Sequence, residues 1–545
     1  MASFDVVIIG GGHNGLVCAG YLAGAGLDVV VAERAPRLGG PAGRHEFLPG
    51  YFSTFSNSPG SLEPKIVRDL DLERHGLRFL PQDPTLVHPL EDGRLFVAWR
   101  DKERTAQQLE SYAPGESARY DAMFKYVQDF ADKLGVSLFR GPPTLQELVR
   151  NLTSLADQEA FSRIFFGSVR DLFEEFDLAE ETKAILGPIS TVGGLAAPGT
   201  PGTPINLLMR PLSLASMTGA VDTAHDPRRM PLRGSTGLPV GGMGAIVDSI
   251  AASARSRGVV LRTDTPVRRI LIRGGEARGI VTAEGEEIEA SIVVSAVHPR
   301  ITILDLVGDE PDWRELQGKM ARKRMAGKAY KLILALDGLP RYAAARDDAE
   351  AAVLASAQLR IAPSLRYLEE AHTDLLLGRP TMKPVIWGLC PSIGAPGLAP
   401  AGRHVMSLNV GNCPYHLEGA DWRTERDLVA KRCIDTLARW IPNLPDIITD
   451  QRCLDPTEIE AELGLVEANI THGDMLPWNQ FWMRPLPGLH DYRTPTAGLY
   501  LSGVGTWPGN YVSGIPGHNT AHAILDDLAA RRIATRRRTT HFVSG

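Results

Sequence analysis

Phe4-Asp-Val-Val-Ile-Ile9 is a short apolar run rich in β-branched side chains, the pattern of a strand buried on both faces of a parallel sheet. It breaks at Gly10-Gly-Gly-His-Asn-Gly15, and residues 16–25, rich in Ala, Gly and Leu, continue as a helix. Residues 27–32 form a second buried strand, closed by the carboxylate of Glu33. The same texture returns twice. Residues 245–257 read as a helix stopped by Gly258, followed by a strand at 259–261 and a meander at 269–272, 279–283 and 292–296, the last of which re-enters the parallel sheet. Near the end, a strand from Gly498 runs into a glycine-rich loop and a helix over about 516–532, with Pro516 in its first turn.

Between these segments the pattern differs. Short strands are predicted at 77–80, 85–88 and 94–99. Residues 106–186 carry apolar side chains at helical spacing and predict a helical lobe, with the aromatic stripe from Phe161 to Phe176 as its core. Residues 187–244 read as loops, and the apolar run from Leu207 to Met217 is expected to line a substrate entrance, as a lid or as a mobile segment. From 331 to 485 the texture is α+β, with strands at 331–336, 385–389 and 404–409. An amphipathic helix over 424–440 carries Leu428, Val429, Cys433 and Leu437. The mixture from Glu467 through His472, Asp474, Trp478 and Trp482 is expected to wall a cavity.

The pattern therefore predicts an α/β protein with two discontinuous domains. Residues 1–75, 236–305 and 486–532 form a Rossmann-type dinucleotide domain; 76–235 and 306–485 form an α+β substrate domain with the helical insertion. Residues 533–545 form a basic tail expected to fray.

Composition narrows the class without changing this picture. At 545 residues, 43% hydrophobic and 22% charged, the chain can bury a large core. Its net charge of −6 argues against a nucleic-acid partner. No apolar run reaches the ~18 residues of a membrane span, which leaves only peripheral membrane contact, and a strand starting at residue 4 makes a cytoplasmic location the expectation. Five scattered cysteines with no C-x-x-C pair exclude a dithiol redox centre and a recognisable zinc site. No metal site is expected.

The candidate chemistry lies in the glycines. Gly10 permits a tight turn, Gly12 lets backbone approach a pyrophosphate, and Gly15 lets helix pack on strand. The helix that follows aims unpaired N–H groups at the phosphates, and Glu33 sits where ribose hydroxyls are gripped. The pair Gly39 and Gly40 lets backbone pass a second part of the cofactor. Arg34 is a candidate for the adenine or ribose, Arg44 for a phosphate, and the backbone of Val267 for adenine. At the other end, Gly503 and Ile515-Pro516-Gly517 lead into a helix whose dipole suits a reduced, anionic ring. Tyr511, His472, Trp507 and His45 are the catalytic candidates, with Asp474 and His518 as further titratable groups.

Three segments together, 6–40, 239–246 and 498–519, resemble the phytoene desaturase and carotenoid isomerase group of FAD-dependent oxidoreductases. Asn469-Ile-Thr-His-Gly-Asp474 is most similar to the branch that contains pyridine nucleotide-disulfide oxidoreductase domain-containing protein 2. The resemblance spans the whole length in order. It implies a glutathione-reductase-like FAD-binding domain, with the pyrophosphate on Gly10, Gly12 and Gly15, the ribose on Glu33, adenine at Val267, and the flavin end at Gly503 and the Ile515-Pro516-Gly517 turn. Two departures stand out. Pro41 follows the glycine pair where relatives often have arginine, and Trp507, Asn510 and Tyr511 add bulk to the flavin-facing loop.

The leading expectation is a dehydrogenase that takes a hydride from a C–H bond of an apolar or partly apolar small molecule to flavin N5, with oxygen or a quinone as acceptor. A redox-neutral flavin isomerase and a non-enzymatic binding module of the GDP-dissociation-inhibitor type are the alternatives. The oligomeric state is left open.

Overall fold

The computed structural model describes residues 3–57, 62–216, 237–509 and 511–543, with side chains in the last helix as far as Arg531. Met217, residue 236 and Asn510, each part of a sequence expectation, lie outside the described residues.

Strand β1 (Ser3–Ile9) leads through the glycine turn into helix α1 (His13–Gly24) and strand β2 (Val29–Ala32). The chain then builds a hairpin, β3 (Leu86–Pro89) and β4 (Leu95–Ala98). A helical lobe follows, with α2 (Glu116–Leu134), α3 (Leu155–Phe165), α4 (Glu180–Thr191) and α5 (Ile205–Ser216). Ser154 caps α3 through a reciprocal capping box with Asp157, which satisfies two backbone donors at its start.

Helix α6 (Gly244–Ser256) returns the chain to β5 (Val260–Arg262), β6 (Val267–Arg273), β7 (Glu276–Thr282) and β8 (Glu287–Ser295). A second excursion gives β9 (Tyr330–Leu336), β10 (Gln358–Ile361), α7 (Leu365–Leu376), β11 (Val385–Leu389), β12 (His404–Gly411), α8 (Trp422–Ala438) and β13 (Ile448–Leu454). Strand β14 (Leu499–Leu501) and helix α9 (Ile515–Val543) complete the chain.

Two seven-stranded sheets result. The first has the order β6-β7-β8-β1-β2-β5, with β14 also on β8. Strands β14, β8, β1, β2 and β5 run parallel, whereas β6 and β7 join β8 as an antiparallel meander. Strand β8 does both jobs: residues 287–289 face β7 and 289–295 face β1. All of Val6, Val7, Ile8 and Ile9 are buried, Val6 and Ile8 against α1 and α9 and Val7 and Ile9 in a cluster with Ile270 and Ile280 of the meander, at roughly 1.5–3 kcal/mol for each side chain of that size. The second sheet has the order β13-β9-β12-β11-β10-β3-β4 and is antiparallel except where β10 meets β3.

Three expectations need correction here. The run expected as a substrate-entrance loop is the helix α5, whose Leu207, Leu208 and Leu212 pack into the core of the helical lobe. Its helical spacing outweighs the Pro- and Gly-rich flanks that suggested a loop. Leu428 is exposed at 52%, so α8 buries only Val429, Cys433 and Leu437 of the face assigned to it. Helix α9 is longer than expected: it runs past 532 to Val543.

Candidate active site

The loop between β1 and α1 is held by its own carboxylate. Glu33, at the end of β2, accepts the Gly11 N–H at 2.7 Å and the Ala35 N–H at 2.9 Å. The second glycine segment joins the same loop, because Gly39 donates its N–H to the Gly11 carbonyl at 2.8 Å. Close packing accounts for two glycines: a Cβ on Gly15 would lie 2.2 Å from the Gly10 carbonyl oxygen, and one on Gly517 would lie 2.2 Å from the Asn14 carbonyl oxygen, where α9 crosses α1.

Gly12 is different. A Cβ there would meet nothing within 4 Å, so the protein's own packing does not require glycine. Gly12 is also the N-cap of α1 and provides no side-chain cap, and no acidic residue fills the first turn. An uncapped helix N-terminus beside open space is the arrangement that receives a phosphate. The buried Asn14 Oδ1 at the same end has no hydrogen-bond partner. The residues present fit a dinucleotide.

This end opens on a cavity of about 360 Å³ between the two sheets. Gly12, Gly39 and Gly503 line it from the first sheet; Trp387, Asn409 and Arg360 line it from the second; Pro188 and Ile189 close it from the helical lobe. His472 and Tyr511 stand on its wall, both in left-handed backbone conformation (φ +52° and +53°). Arg484 fixes that wall. Fully buried, it donates to the carbonyls of Thr471, Asp474, Val504 and Thr506, and so ties the His472 loop to the Gly503 loop.

The wall is electrically quiet. Burial pushes His472 down to about 3, with further pressure from the Arg484 and His13 charges, and its Nδ1 has no hydrogen-bond partner. His13, whose Nε2 meets the Tyr511 carbonyl at 3.1 Å, is pushed down to about 4 by burial. The Tyr511 hydroxyl is raised well above its ordinary value by burial. Lys328 lines the cavity, donates to the Thr191 carbonyl at 2.8 Å, and is held down to about 8 by burial against the opposing pull of Asp474.

Of the residues expected at the site, Gly12, Gly39, Gly503, His472 and Tyr511 line the cavity. Gly10, Gly15 and Glu33 shape its glycine loop from behind. The Gly40 carbonyl oxygen accepts a hydrogen bond from His45 Nε2 at 3.1 Å, which makes His45 a brace for that loop, not part of the cavity lining. Val267 begins β6, half-buried, beyond the lining residues. Ile515 is fully buried in the helical-lobe core, and with Pro516 and Gly517 it forms the first turn of α9.

Trp507 is corrected most sharply. It is fully buried, stacks on Phe481 at 4.8 Å between ring centres, and donates its indole N–H to the Arg140 carbonyl, so it is a core residue. Trp478 is half exposed and Trp482 packs on the same core, so neither walls the cavity. Arg44 pairs with Asp248 at the surface at 3.3 Å, and Arg34 is exposed with its guanidinium over Gly464. Both arginines belong to the solvated face, where a charge costs least.

Sequence reasoning missed Lys328, Arg360, Trp387 and Asn409. Arg360 and Asn409 sit on strands that also carry other polar residues, Gln358 and Ser407, so neither stood out, and which strands lie side by side is set by pairing register.

A family model described as flavin containing amine oxidoreductase matches residues 15–490. The chain is 30% identical over 560 residues to pyridine nucleotide-disulfide oxidoreductase domain-containing protein 2 of Rattus norvegicus, covering 96% of this chain and 94% of the relative. It is 24% identical over 528 residues to the neurosporene-forming phytoene desaturase of Rhodobacter capsulatus, covering 94% and 91%. Among solved structures, putrescine oxidase bound to putrescine superposes with a TM-score of 0.60 at 17% identity, covering 97% of this chain and 99% of the other. That likeness is one of fold.

Proposed function

The chain belongs to the flavin-containing amine oxidoreductase family and is an FAD-dependent oxidoreductase, and from this we propose that it dehydrogenates a C–C or C–N bond of an apolar or partly apolar small molecule. The observation that carries the reading is the single cavity shared by the glycine loop and the face of the second sheet. FAD held by this loop would supply a two-electron acceptor for a substrate hydride, the second hydrogen being released as a proton when the double bond forms.

The protein's part is binding and orientation. We assign the pyrophosphate to the backbone N–H groups from Gly12 into α1, with Gly10 and Gly15 shaping the turn. Glu33, Arg34 and Val267 are proposed for the adenosine end, Gly39 and Gly40 for the flank, and Gly503 with the Ile515-Pro516-Gly517 turn for the flavin end. Arg44 has no part in this assignment. His472, neutral with a free Nδ1, is too weakly basic to deprotonate a substrate and is proposed to accept a hydrogen bond that orients it. The Tyr511 hydroxyl stays protonated and donates.

The two sheets support the division into 1–75, 236–305 and 486–532 against 76–235 and 306–485, with 533–545 as a basic tail. Oxygen or a quinone is the proposed acceptor, since the chain offers no second glycine fingerprint and no paired cysteines. A cytoplasmic setting is part of the proposal, supported by five unpaired thiols. No helix among the described residues is long and apolar enough to cross a membrane. Neither alternative is favoured: the intact glycine loop speaks against a binding-only module, and the family match and desaturase relatives support dehydrogenation over a redox-neutral isomerisation.

Anaerobic mixing with panels of apolar candidates tests the reading. A true substrate bleaches the flavin absorbance, and oxygen or a quinone restores it with formation of an unsaturated product. Recovery of unoxidised, rearranged substrate would overturn it in favour of isomerisation.

A further inference from the structure

Strand pairing sets four side chains in one transverse row, of which Asn409, Trp387 and Arg360 line the cavity floor and Lys331 is buried beyond it. Lys331 on β9 is level with Asn409 on β12, Asn409 with Trp387 on β11, and Trp387 with Arg360 on β10. Directly opposed residues of a sheet share a face, so the row reads cation, amide, indole, cation. Its two ends lie three strand spacings apart, ~14 Å.

The two cations are not equivalent. Lys331 is saturated: its Nζ donates to the Phe55 carbonyl at 3.1 Å, Ser407 Oγ at 2.8 Å and Asn409 Oδ1 at 2.7 Å. Arg360 has five donors and makes one long bond, 3.4 Å to the Ile185 carbonyl of the helical lobe. It faces His88, which burial and the Arg360 charge keep neutral. Among the described residues that line the cavity there is no Asp or Glu. The other lining cation, Lys328, has Asp474 near it in an adjoining recess, whereas no carboxylate is coupled to Arg360. Arg360 is half-buried, and charge withdrawn from water is ordinarily paired. The lining near Arg360 mixes the amide of Gln358, on the same face of β10, with the aliphatic side chains of Leu86 and Leu368.

We propose that the substrate is an apolar or partly apolar carboxylate, its head held by Arg360 at the helical-lobe end and its body lying over Trp387 toward Asn409. This rests on the dehydrogenase reading of the same cavity, and it departs from what the family description suggests. An ammonium group would find two cations and no counter-charge on this lining. A planar carboxylate matches the two free edges of a guanidinium fork, and the remainder of the floor offers an indole plate and aliphatic walls.

Three probes of equal chain length separate the possibilities: decanoate, decan-1-ol and decylamine, titrated into the FAD-loaded enzyme at pH 7 by calorimetry and by perturbation of the flavin spectrum. Decanoate should bind at least ~10-fold more tightly than decan-1-ol, the worth of one charge-assisted hydrogen bond, and decylamine should bind more weakly than the alcohol. Arg360→Gln should bring decanoate within ~3-fold of the alcohol with FAD content unchanged, and Arg360→Lys should keep part of the preference. Decylamine binding as well as decanoate, or a wild-type enzyme that ranks decanoate with the alcohol, would overturn the proposal whether or not either variant folds. Purified protein without FAD would overturn the dehydrogenase reading instead, and the calorimetric ranking would still decide the anion site.

Discussion

The two seven-stranded sheets meet at one cavity and serve it in different ways. The first is buried on both faces and presents strand ends: its contribution is backbone, from the uncapped start of α1, the Gly39 strand-like contact and the loop at Gly503. The second turns a face to the cavity and contributes side chains: Asn409, Trp387 and Arg360 in register. Backbone recognition suits a ligand part common to many enzymes, such as a pyrophosphate, because it depends on the turn and not on the side chains. Side-chain recognition suits what varies, the substrate.

Substitutions break this division at different strengths. The largest effect is expected where the two halves are tied. Arg484→Leu would strand the carbonyls of Thr471, Asp474, Val504 and Thr506 in the interior. At roughly 1–3 kcal/mol for each unsatisfied buried group, the variant should fail to accumulate as folded protein; recovery with a native melting temperature would mean that the wall of His472 holds itself.

Trp507→Ala comes next. A fully buried indole stacked on Phe481 should cost about 3–5 kcal/mol, seen in chemical denaturation. A variant of native stability with an altered substrate range would return Trp507 to the active site.

Glu33→Lys removes two charge-assisted acceptors, those for Gly11 and Ala35. A loss of about 1.5–3 kcal/mol for each bond is expected, with FAD occupancy falling alongside, measurable as released flavin per chain. Full occupancy would show that the loop does not depend on its carboxylate.

Acid should have a graded effect. His13 and His472 titrate at about 4 and about 3 in the fold, below the ordinary value of 6.5. Between those limits the unfolded chain binds more protons than the folded one, so stability rises with pH there and is lost as pH falls from 6.5 toward 3. His472→Asn should flatten part of that slope; an unchanged slope would mean that His472 does not contribute to it.

How much of this was legible follows from the same division. The glycine turn, Glu33 and the parallel strands are local signals, each confined to a few tens of residues, and Gly12, Gly39 and Gly503 were all found from them. The floor of the cavity is non-local. Arg360 and Asn409 sit far apart in the chain and become neighbours of Trp387 only through strand register, which one sequence does not reveal. Trp507 failed for a related reason: the direction of its side chain depends on Phe481 and Arg140, which belong to other segments.

The smallest expected effect on stability gives the most direct test of the backbone cradle. Gly12 has open space where a Cβ would go, whereas Gly15 faces the Gly10 carbonyl at 2.2 Å. Gly12→Ala should therefore leave the melting temperature of the flavin-free protein unchanged and abolish most FAD binding, because its methyl group enters the space a pyrophosphate takes. Flavin content and melting temperature measured together decide the matter: a Gly12→Ala protein that keeps one FAD per chain would contradict the cradle, and so would one whose flavin-free form is destabilised.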